Sequence, residues 1–251
     1  MSKTTMPWST VWVIGASSGI GEAFARHCHR NGLSVIVSAR RADALWSMAN
    51  DLPGLQVVPM DVSSGQSVDI AIQALKDQNL VPDLVVFCAG TYEPGGLTIL
   101  DADAASDHMN INYIGAIRVI QAVMPIFRDR GTGHLALVSS LTGYRGLPNA
   151  VHYGPTKAAL INLTETLYPE FERLGLDLTI INPGFVKTPM TDKNTFEMPF
   201  LISAAEAADH MWEGLRRKQF EIAFPAPLVR RLKALRLLPY RLYFRVMRSM
   251  L

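Results

Sequence analysis

Residues 10–21, TVWVIGASSGIG, decide the fold, because a short apolar run passes directly into a glycine-rich turn. The apolar run predicts a buried strand, and a helical pattern starts at Gly19. Glycine permits a tight turn and lets backbone N–H groups approach a pyrophosphate at the positive end of a helix. The spacing is G-x-x-x-G-x-G, which differs from the commoner G-x-G-x-x-G. The context favours a phosphate-binding turn over a purely structural one, with candidate contacts from Gly15, Ser17, Ser18, Gly19, Ile20 and Gly21.

Six further apolar runs follow the same design and alternate with helical patterns. The runs lie at residues 33–39, 55–59, 83–87, 133–138, 176–181 and 220–224, and the helical patterns lie at 19–31, 42–51, 65–78, 104–128, 151–174 and 204–218. Largely continuous apolar runs are typical of strands buried on both faces of a parallel sheet. Their alternation with helices predicts right-handed crossovers and a doubly wound α/β fold, with a seven-stranded parallel sheet flanked by helices.

The composition fits one globular unit. Among 251 residues, 49% are hydrophobic and 18% are charged, and no linker or repeat divides residues 1–226, which we expect to form a single domain. The net charge of +2 does not indicate a nucleic-acid partner. Two cysteines without CxxC spacing and scattered histidines predict neither a disulfide framework nor a metal site. Without a signal-peptide pattern or an apolar run of about 18 residues, the chain is expected to be cytoplasmic.

Two strand ends carry charged residues where a doubly wound sheet binds its ligand. The second strand ends in Arg40 and Arg41. An acidic residue there would bind the ribose 2′-hydroxyl of NAD, whereas an arginine pairs with the 2′-phosphate of NADP. The arginines therefore favour NADP(H) over NAD(H), with the start of a solvated helix as the alternative. Asp61, after the third strand, either accepts a bond from an adenine amino group or caps the next helix.

Residues 139–157, SSLTGYRGLPNAVHYGPTK, bring a hydroxyl, a phenol and an ammonium together. If a helix begins near Val151, the i,i+4 spacing places Tyr153 and Lys157 on one face. Free tyrosine titrates near pH ~10, so an acid–base role near pH ~7 needs nearby positive charge, which Lys157 supplies. Pro155 falls in the first turn, where proline is tolerated. The motif alone is weak, since an exposed lysine beside a half-buried ring has the same spacing.

Together these motifs resemble the classical short-chain dehydrogenase/reductase family over nearly the whole chain. The matching residues are the turn at 15–21, Asp61-Val62, Cys88-Ala89-Gly90, Asn112-Tyr113-Ile114-Gly115, Ser140, Tyr153-x-x-x-Lys157, and Pro183-Gly184 followed by Thr188. Ser140 is selected over Ser139 because it stands thirteen residues before Tyr153, as the family pattern requires. The departures are Ile14, where threonine is frequent, and Phe87-Cys88 in place of Asn-Asn. Neither change removes a group that does chemistry.

The resemblance implies a Rossmann-type fold and an oxidoreductase that transfers a hydride between NADP(H) and a carbonyl or alcohol. It implies that Tyr153 is the general acid/base and that Ser140 polarises the carbonyl oxygen. Lys157 would lower the pKa of Tyr153 and bind the nicotinamide ribose, and Asn112 would anchor a water of the proton relay. Further cofactor contacts are implied for Asp61, Val62, Ala89, Gly90, Pro183, Gly184, Val186 and Thr188.

The same resemblance implies a homodimer or homotetramer. A catalytically silent nucleotide sensor or scaffold on the same fold is the alternative from another class, since fold alone does not establish function. Such a protein would be expected to lose Tyr153 or Lys157, and this chain retains both.

Two regions of the sequence differ from the family pattern. The segment after Thr188 contains Met190, Phe196, Met198, Phe200 and Leu201, which predicts either a hydrophobic substrate or an apolar cover packed on the domain. Residues 227–251 form a C-terminal extension that has seven basic residues and no acidic one, with leucines at three- or four-residue steps. Such a segment lies on an anionic membrane surface, docks on a partner or packs on the protein's own body.

Overall fold

The computed structural model describes residues 7–249. The first six residues of the predicted domain and the last two of the predicted extension lie outside the described residues. The main sheet consists of β1 (Thr10–Ile14), β2 (Ser34–Ser38), β3 (Gln56–Val57), β4 (Leu84–Phe87), β5 (His134–Val138), β6 (Asp177–Pro183) and β9 (Glu221–Phe224). Two short strands, β7 (Val186–Lys187) and β8 (Ile202–Ser203), pair with each other beside it.

Helices cover both faces of the sheet. They are α1 (Gly19–Arg30), α2 (Ala42–Asp51), α3 (Gly65–Asp77), α4 (Ala102–Met109), α5 (Gly115–Arg130), α6 (Tyr153–Arg173), α7 (Ala204–Arg216), α8 (Ala226–Arg236) and α9 (Tyr240–Arg248). One apolar core lies under α1, α2 and α7 and includes Phe24 and Met211. The other lies under α3, α5 and α6 and includes Phe127 and Phe171. These two layers bury both faces of the strands, as a parallel sheet requires.

The strand order is β3-β2-β1-β4-β5-β6-β9, and every neighbouring pair is parallel. This confirms the predicted doubly wound α/β fold with a seven-stranded sheet. All four residues of Leu84–Phe87 are fully buried, which accounts for the continuous apolar run in the sequence. The chain first builds the sheet outward from β1 to β3 and then returns to place β4 on the other side of β1. Folds of this kind bind ligands at the crevice that such a reversal opens.

The structure differs from the helix predicted at residues 104–128. That stretch contains α4 and α5, and a π-helical turn at Asn110–Ile114 separates them. A π turn inserts one residue into the helical repeat and is frequent at functional sites. Here it faces Asn112, which is fully buried, towards the ends of the central strands. Apolar periodicity predicts a helix of this length, but it does not reveal one inserted residue.

The C-terminal helices pack on the body of the protein. Leu228, Tyr243 and Met247 are buried. The guanidinium of Arg145 lies 3.8 Å from the ring centroid of Tyr243 and donates hydrogen bonds of 2.7 Å to the carbonyl oxygens of Leu235 and Leu238. The extension therefore contacts the loop between β5 and α6. Of the three roles that the sequence allowed, its inner face has that of packing on the protein's own body.

A buried hydrogen-bonded chain under the sheet gives a stability prediction. The Trp12 indole N–H donates to the Ser38 hydroxyl over 2.8 Å, and Ser38 donates to the Val58 carbonyl oxygen over 2.5 Å. Trp12 and Ser38 are fully buried. Ser38→Ala leaves one donor and one acceptor without a partner, so we expect a loss of about 2–4 kcal/mol in the free energy of unfolding, measured by urea denaturation.

A double-mutant cycle separates the hydrogen bond from the loss of packing. Trp12→Phe removes the donor, so Ser38→Ala should cost about 1 kcal/mol less in that background than in the native chain. Equal costs in both backgrounds would show that the bond between Trp12 and Ser38 contributes nothing to stability.

Candidate active site

A cavity of about 390 Å³ opens at the carboxyl ends of β1, β2, β4, β5 and β6. Its walls include all the residues predicted to bind the cofactor: Gly15, Ser17, Ser18, Gly19, Ile20, Gly21, Arg40, Arg41, Asp61, Val62, Ala89, Gly90, Tyr153, Lys157, Pro183, Gly184, Val186 and Thr188. Ser140 also lines it. Asn112 is not part of the wall and lies behind it. The structure thus brings residues that follow β1 to β6 into one space.

The glycine turn is shaped by close backbone contacts. Gly15 has φ +92°, and a Cβ on it would lie 2.5 Å from the Ala89 backbone nitrogen. A Cβ on Gly21 would lie 2.4 Å from the Gly15 carbonyl oxygen. Both distances are too short for any side chain, so the turn can close against β4 and start the helix only with glycine at these two positions.

The N-terminus of α1 points its backbone donors towards this cavity. Ser18 is the N-cap residue with an extended backbone, and its side chain makes no capping bond within the described residues. The first N–H groups of a helix have no partner inside the helix, and the helix dipole adds positive potential at this end. The turn therefore offers donors and space to an anionic diphosphate.

Two arginines and one carboxylate surround the adjoining part of the cavity. Arg41 donates to the hydroxyl oxygens of Ser17 and Ser18 over 3.0 and 2.9 Å, so its guanidinium spans the glycine turn. Asp61 accepts from the Ser63 backbone N–H over 2.9 Å and from the Ser63 hydroxyl over 2.6 Å. Burial opposes ionisation of Asp61, but the bonds from Ser63 and the charge of Arg40 hold its pKa below the ordinary value.

These contacts exclude one of the two roles that the sequence left open for Asp61, that of N-cap to the next helix. The N-cap of α3 is Ser64, whose hydroxyl accepts from the Ser67 backbone N–H. Asp61 instead stabilises the turn before that helix, and it is ionised at the cavity wall. An ionised carboxylate there can accept a hydrogen bond from an amino group.

At the other end of the cavity, Tyr153 and Lys157 occupy successive turns of α6. The Lys157 Nζ atom lies 5.4 Å from the centroid of the Tyr153 ring and donates to the Val138 carbonyl oxygen over 2.9 Å. Helix α6 begins at Tyr153, two residues after the predicted start, and Pro155 falls in its first turn as expected. The Ser140 hydroxyl accepts from the Thr142 backbone N–H over 3.1 Å and lies 3.4 Å from the Pro183 carbonyl oxygen.

The protonation of this cluster is governed by burial. Loss of hydration raises the pKa of Tyr153 above its ordinary value, and the Ser140 hydroxyl acts in the opposite direction. Burial lowers the pKa of Lys157 to about 8, with a small opposing contribution from Cys88. In the protein alone, Tyr153 is therefore a neutral phenol that can donate a proton. That Lys157 lowers the pKa of Tyr153, which the family resemblance implies, stays a prediction.

Asn112 connects the π turn to the strand ends and to α6. Its side-chain oxygen accepts from the Thr91 backbone N–H over 2.7 Å, and its amide donates to the Thr91 carbonyl oxygen and the Thr156 hydroxyl, each over 3.0 Å. A Cβ placed on Gly90 would lie 3.4 Å from the Asn112 oxygen and 3.7 Å from Lys157 Nζ. The amide oxygen and the ammonium therefore border the same small space beside Gly90.

The sequence interpretation missed three residues that hold this arrangement. Thr91 and Thr156 fix both ends of the Asn112 amide. Ser139, which was set aside in favour of Ser140, donates to the Lys157 carbonyl oxygen over 2.8 Å and so ties β5 to α6. The sequence could have indicated Thr156, because it lies within one helical turn of both Tyr153 and Lys157. No pattern in the sequence indicated Thr91.

The covering segment after β7 is joined to the site by Tyr92. Its ring meets Tyr153 edge to face with centroids 4.9 Å apart, and its hydroxyl donates to the Asn194 side-chain oxygen over 2.7 Å. Met190 lines the cavity. Tyr144, which follows the end of β5, donates to Glu221 and lines a separate groove beside β9. The loop after Ser140 therefore turns away from the cavity.

The histidines near the site have structural contacts. His152 accepts from the Asp101 backbone N–H over 3.2 Å and packs 5.5 Å from the ring of His108. His27 lies 3.0 Å from an Asp209 oxygen and packs on Trp212. Across residues 7–249 the structure contains no group of three acidic, histidine or cysteine side chains with the geometry of a metal site.

Comparison with known proteins establishes the family. The family model for short chain dehydrogenases matches residues 9–198. An uncharacterized oxidoreductase from Myxococcus xanthus (strain DK1622) is 34% identical over 242 residues, which is 95% of this chain and 96% of that protein. The chain belongs to the short-chain dehydrogenase/reductase family of oxidoreductases, which confirms the resemblance found in the sequence.

Two solved structures share the fold. A short-chain dehydrogenase from Sphingobium yanoikuyae in complex with NADPH is 24% identical, with a TM-score of 0.80 over 90% of this chain and 91% of that one. A short-chain dehydrogenase/reductase from Burkholderia phymatum in complex with NAD is 22% identical, with a TM-score of 0.81 over 90% and 92% of the two chains. One of these two proteins was solved with NADPH and the other with NAD.

Proposed function

We propose that the protein is an NADP(H)-dependent oxidoreductase that interconverts a hydrophobic carbonyl compound and its alcohol. The observation that carries this proposal is the meeting of Tyr153, Lys157 and Ser140 at one end of a cavity whose other end has the glycine turn. A hydride transfer needs a dinucleotide in place, a group that polarises the carbonyl oxygen and a proton donor. The three side chains and the turn supply sites for each of these.

Bound NADP(H) would supply the hydride, or accept it in the oxidative direction. The Ser140 hydroxyl donates to the carbonyl oxygen where negative charge develops, and Tyr153 gives its proton to the same oxygen. Lys157 then stabilises the phenolate as a nearby cation. Asn112 and Lys157 border the space beside Gly90, in which a water can restore the proton to Tyr153.

The preference for NADP(H) rests on the two arginines after β2. Both line the cavity, Arg41 spans the glycine turn, and the charge of Arg40 acts on Asp61. Neither position offers the carboxylate that would accept a bond from a ribose 2′-hydroxyl. A doubly charged 2′-phosphate would find two guanidinium groups in this corner of the site.

Arginine substitution gives the corresponding prediction. Arg40→Ala and Arg41→Ala should each weaken NADPH binding at least tenfold and change NADH binding less than threefold, because only NADPH has the phosphate that the guanidinium groups pair with. Fluorescence titration of each variant with both cofactors measures the effect.

Arg30→Ala is the matched control, since Arg30 is exposed on the last turn of α1. It should leave both affinities within twofold of the native values. Equal losses for NADPH and NADH in the Arg40 and Arg41 variants would contradict recognition of the 2′-phosphate.

Apolar side chains of the segment after Thr188 support a hydrophobic substrate. Met190 lines the cavity, and Phe196 packs on Phe185 in the covering segment with ring centroids 6.0 Å apart. A panel of ketones, aldehydes and alcohols of increasing apolar size, followed at the nicotinamide absorbance with each cofactor, tests this proposal. Turnover should rise with apolar size. No turnover with any member, despite cofactor binding, would favour the catalytically silent sensor.

The proposal includes a cytoplasmic homo-oligomer. Both cysteines are free thiols, Cys28 is fully buried, and burial raises the pKa of Cys88 to about 12, which suits a reducing compartment. Within residues 7–249 no helix is long and apolar enough to cross a membrane. Sedimentation velocity tests the oligomeric state directly, and a dimer or tetramer is the expected result.

A further inference from the structure

We propose that the outer face of helix α9 docks the protein on the surface of an anionic lipid bilayer. This C-terminal face consists of the exposed residues Arg241, Leu242, Phe244, Arg245, Val246 and Arg248. The proposed oxidoreductase chemistry does not use it, and none of the inferences above depends on it.

The inner side of α9 fixes the helix on the protein. Tyr243 and Met247, one turn apart, are buried, and the Tyr243 hydroxyl donates to the Gly146 carbonyl oxygen. Arg145 packs on the Tyr243 ring and lies 5.0 Å from the centroid of the Tyr240 ring. With these contacts satisfied from within the chain, the opposite side of the helix is held outward in a defined orientation.

The outer side of α9 carries both cations and exposed apolar side chains. A face that only contacts water would not need the apolar ones. With Tyr243 and Met247 inward, the 3.6-residue repeat places Arg241, Arg245 and Arg248 together on the outermost ridge. Beside this ridge, 48% of Leu242, 49% of Phe244 and 37% of Val246 remain exposed. Leu242 and Val246 lie on one side of the ridge and Phe244 lies on the other, so exposed apolar side chains flank the cations, which indicates an interaction surface.

Within residues 7–249, carboxylates of the protein do not balance the charge of this surface. No acidic residue follows Glu221 in the sequence, and Glu221 itself forms its ion pair with Lys233. Within the part of the chain that the structure describes, no carboxylate pairs with the three arginines of the C-terminal face. The face therefore presents an uncompensated positive potential on a protein whose whole net charge is only +2.

A lipid bilayer is the partner that would contact both the arginines and the apolar side chains of the C-terminal face. In a symmetric contact between two copies, the arginine ridge would face an identical ridge, and the like charges would repel. A nucleic acid would pair with the arginines but would leave Leu242, Phe244 and Val246 against water. Anionic headgroups pair with the arginines while the apolar side chains enter the boundary between headgroups and acyl chains.

Vesicle co-sedimentation of the full-length protein tests the proposal. The protein should pellet with vesicles that contain phosphatidylglycerol and stay in the supernatant with pure phosphatidylcholine, and added salt should weaken the binding. Arg241→Gln/Arg245→Gln/Arg248→Gln should lose at least tenfold in affinity. Leu242→Ser/Phe244→Ser/Val246→Ser should also bind more weakly, because it removes the inserted groups and keeps the charge.

A charge-matched control separates a local surface from overall charge. Arg30→Gln/Lys76→Gln/Arg128→Gln removes the same number of exposed cations from other helices and should bind within twofold of the native protein. Circular dichroism verifies that each variant is folded.

Three results would overturn the proposal. The native protein would stay in the supernatant with anionic vesicles, or the control variant would lose as much affinity as the arginine variant. The third result is vesicle binding unchanged in the arginine variant. If gel filtration shows instead that this variant loses self-association while no form binds vesicles, the face belongs to a contact between copies.

Discussion

Tyr153→Phe is expected to reduce turnover by about three orders of magnitude while NADPH affinity stays within threefold of the native value. The substitution removes one oxygen atom, which is the proposed proton donor, and general acid–base groups contribute about 10²–10⁴-fold to rate. The phenyl ring can keep its edge-to-face contact with Tyr92, where the centroids lie 4.9 Å apart. The loss should therefore appear in kcat with little change in binding, measured by steady-state kinetics and by fluorescence titration with NADPH.

Tyr92→Phe is the matched control, because it removes the same atom from the neighbouring ring. It loses the hydrogen bond to Asn194 and retains the Tyr153 phenol, so turnover should fall less than tenfold. If Tyr153→Phe kept more than a tenth of native turnover, the phenol would not be the general acid. If it lost NADPH binding instead, the role of Tyr153 would be to retain the cofactor.

The sheet and the positions of the site residues could be predicted because each depends on a short, local stretch of sequence. Each central strand is buried on both faces, so it appears as a continuous apolar run, and the residue that follows it lies at the carboxyl edge. The requirement for glycine at Gly15 and Gly21 comes from backbone contacts that no other residue tolerates. Such positions can be recognised in the sequence because the backbone contact permits only one residue type.

Other parts of the site depend on contacts between distant segments, and the sequence did not show them. The bond from Tyr92 to Asn194 joins residues 102 positions apart. The bond from Tyr144 to Glu221 joins residues 77 positions apart and holds the Tyr144 ring outside the cavity. The π turn at Asn112 changes the direction of one side chain and leaves the apolar pattern of the flanking helices intact. Side-chain pairing of this kind is set by tertiary packing rather than by periodicity.

Lys157→Met is expected to abolish detectable turnover and at the same time to stabilise the fold. Lys157 is 4% exposed, and burial lowers its pKa from 10.5 to about 8. A shift of this size corresponds to roughly 3 kcal/mol of destabilisation at pH 7, since each pKa unit is about 1.4 kcal/mol. Methionine has a similar length and no charge to desolvate, but it leaves the Val138 carbonyl oxygen without its donor, at a cost of about 1–2 kcal/mol. The net gain should be about 1–2 kcal/mol.

The gain should depend on pH in a defined direction. Below pH 8 the lysine is charged in both the folded and the unfolded chain, so the native protein is destabilised by the full cost of burying the charge. Between about 8 and 10.5 the folded state releases its proton first, the unfolded state binds more protons, and native stability rises with pH. The difference between Lys157→Met and the native protein should therefore be largest at pH 7 and shrink towards pH 10, in urea denaturation at each pH.

Lys76→Met provides the comparison for this last experiment, because Lys76 is exposed in the final turn of α3. It should change stability by no more than about 0.5 kcal/mol at any pH in this range and keep native turnover. A Lys157→Met variant that is less stable than the native protein at pH 7 would mean that the bond to Val138 outweighs the burial of the charge. A stable but inactive variant would show that the site keeps a buried cation for its chemistry at the expense of the fold, as functional sites commonly do.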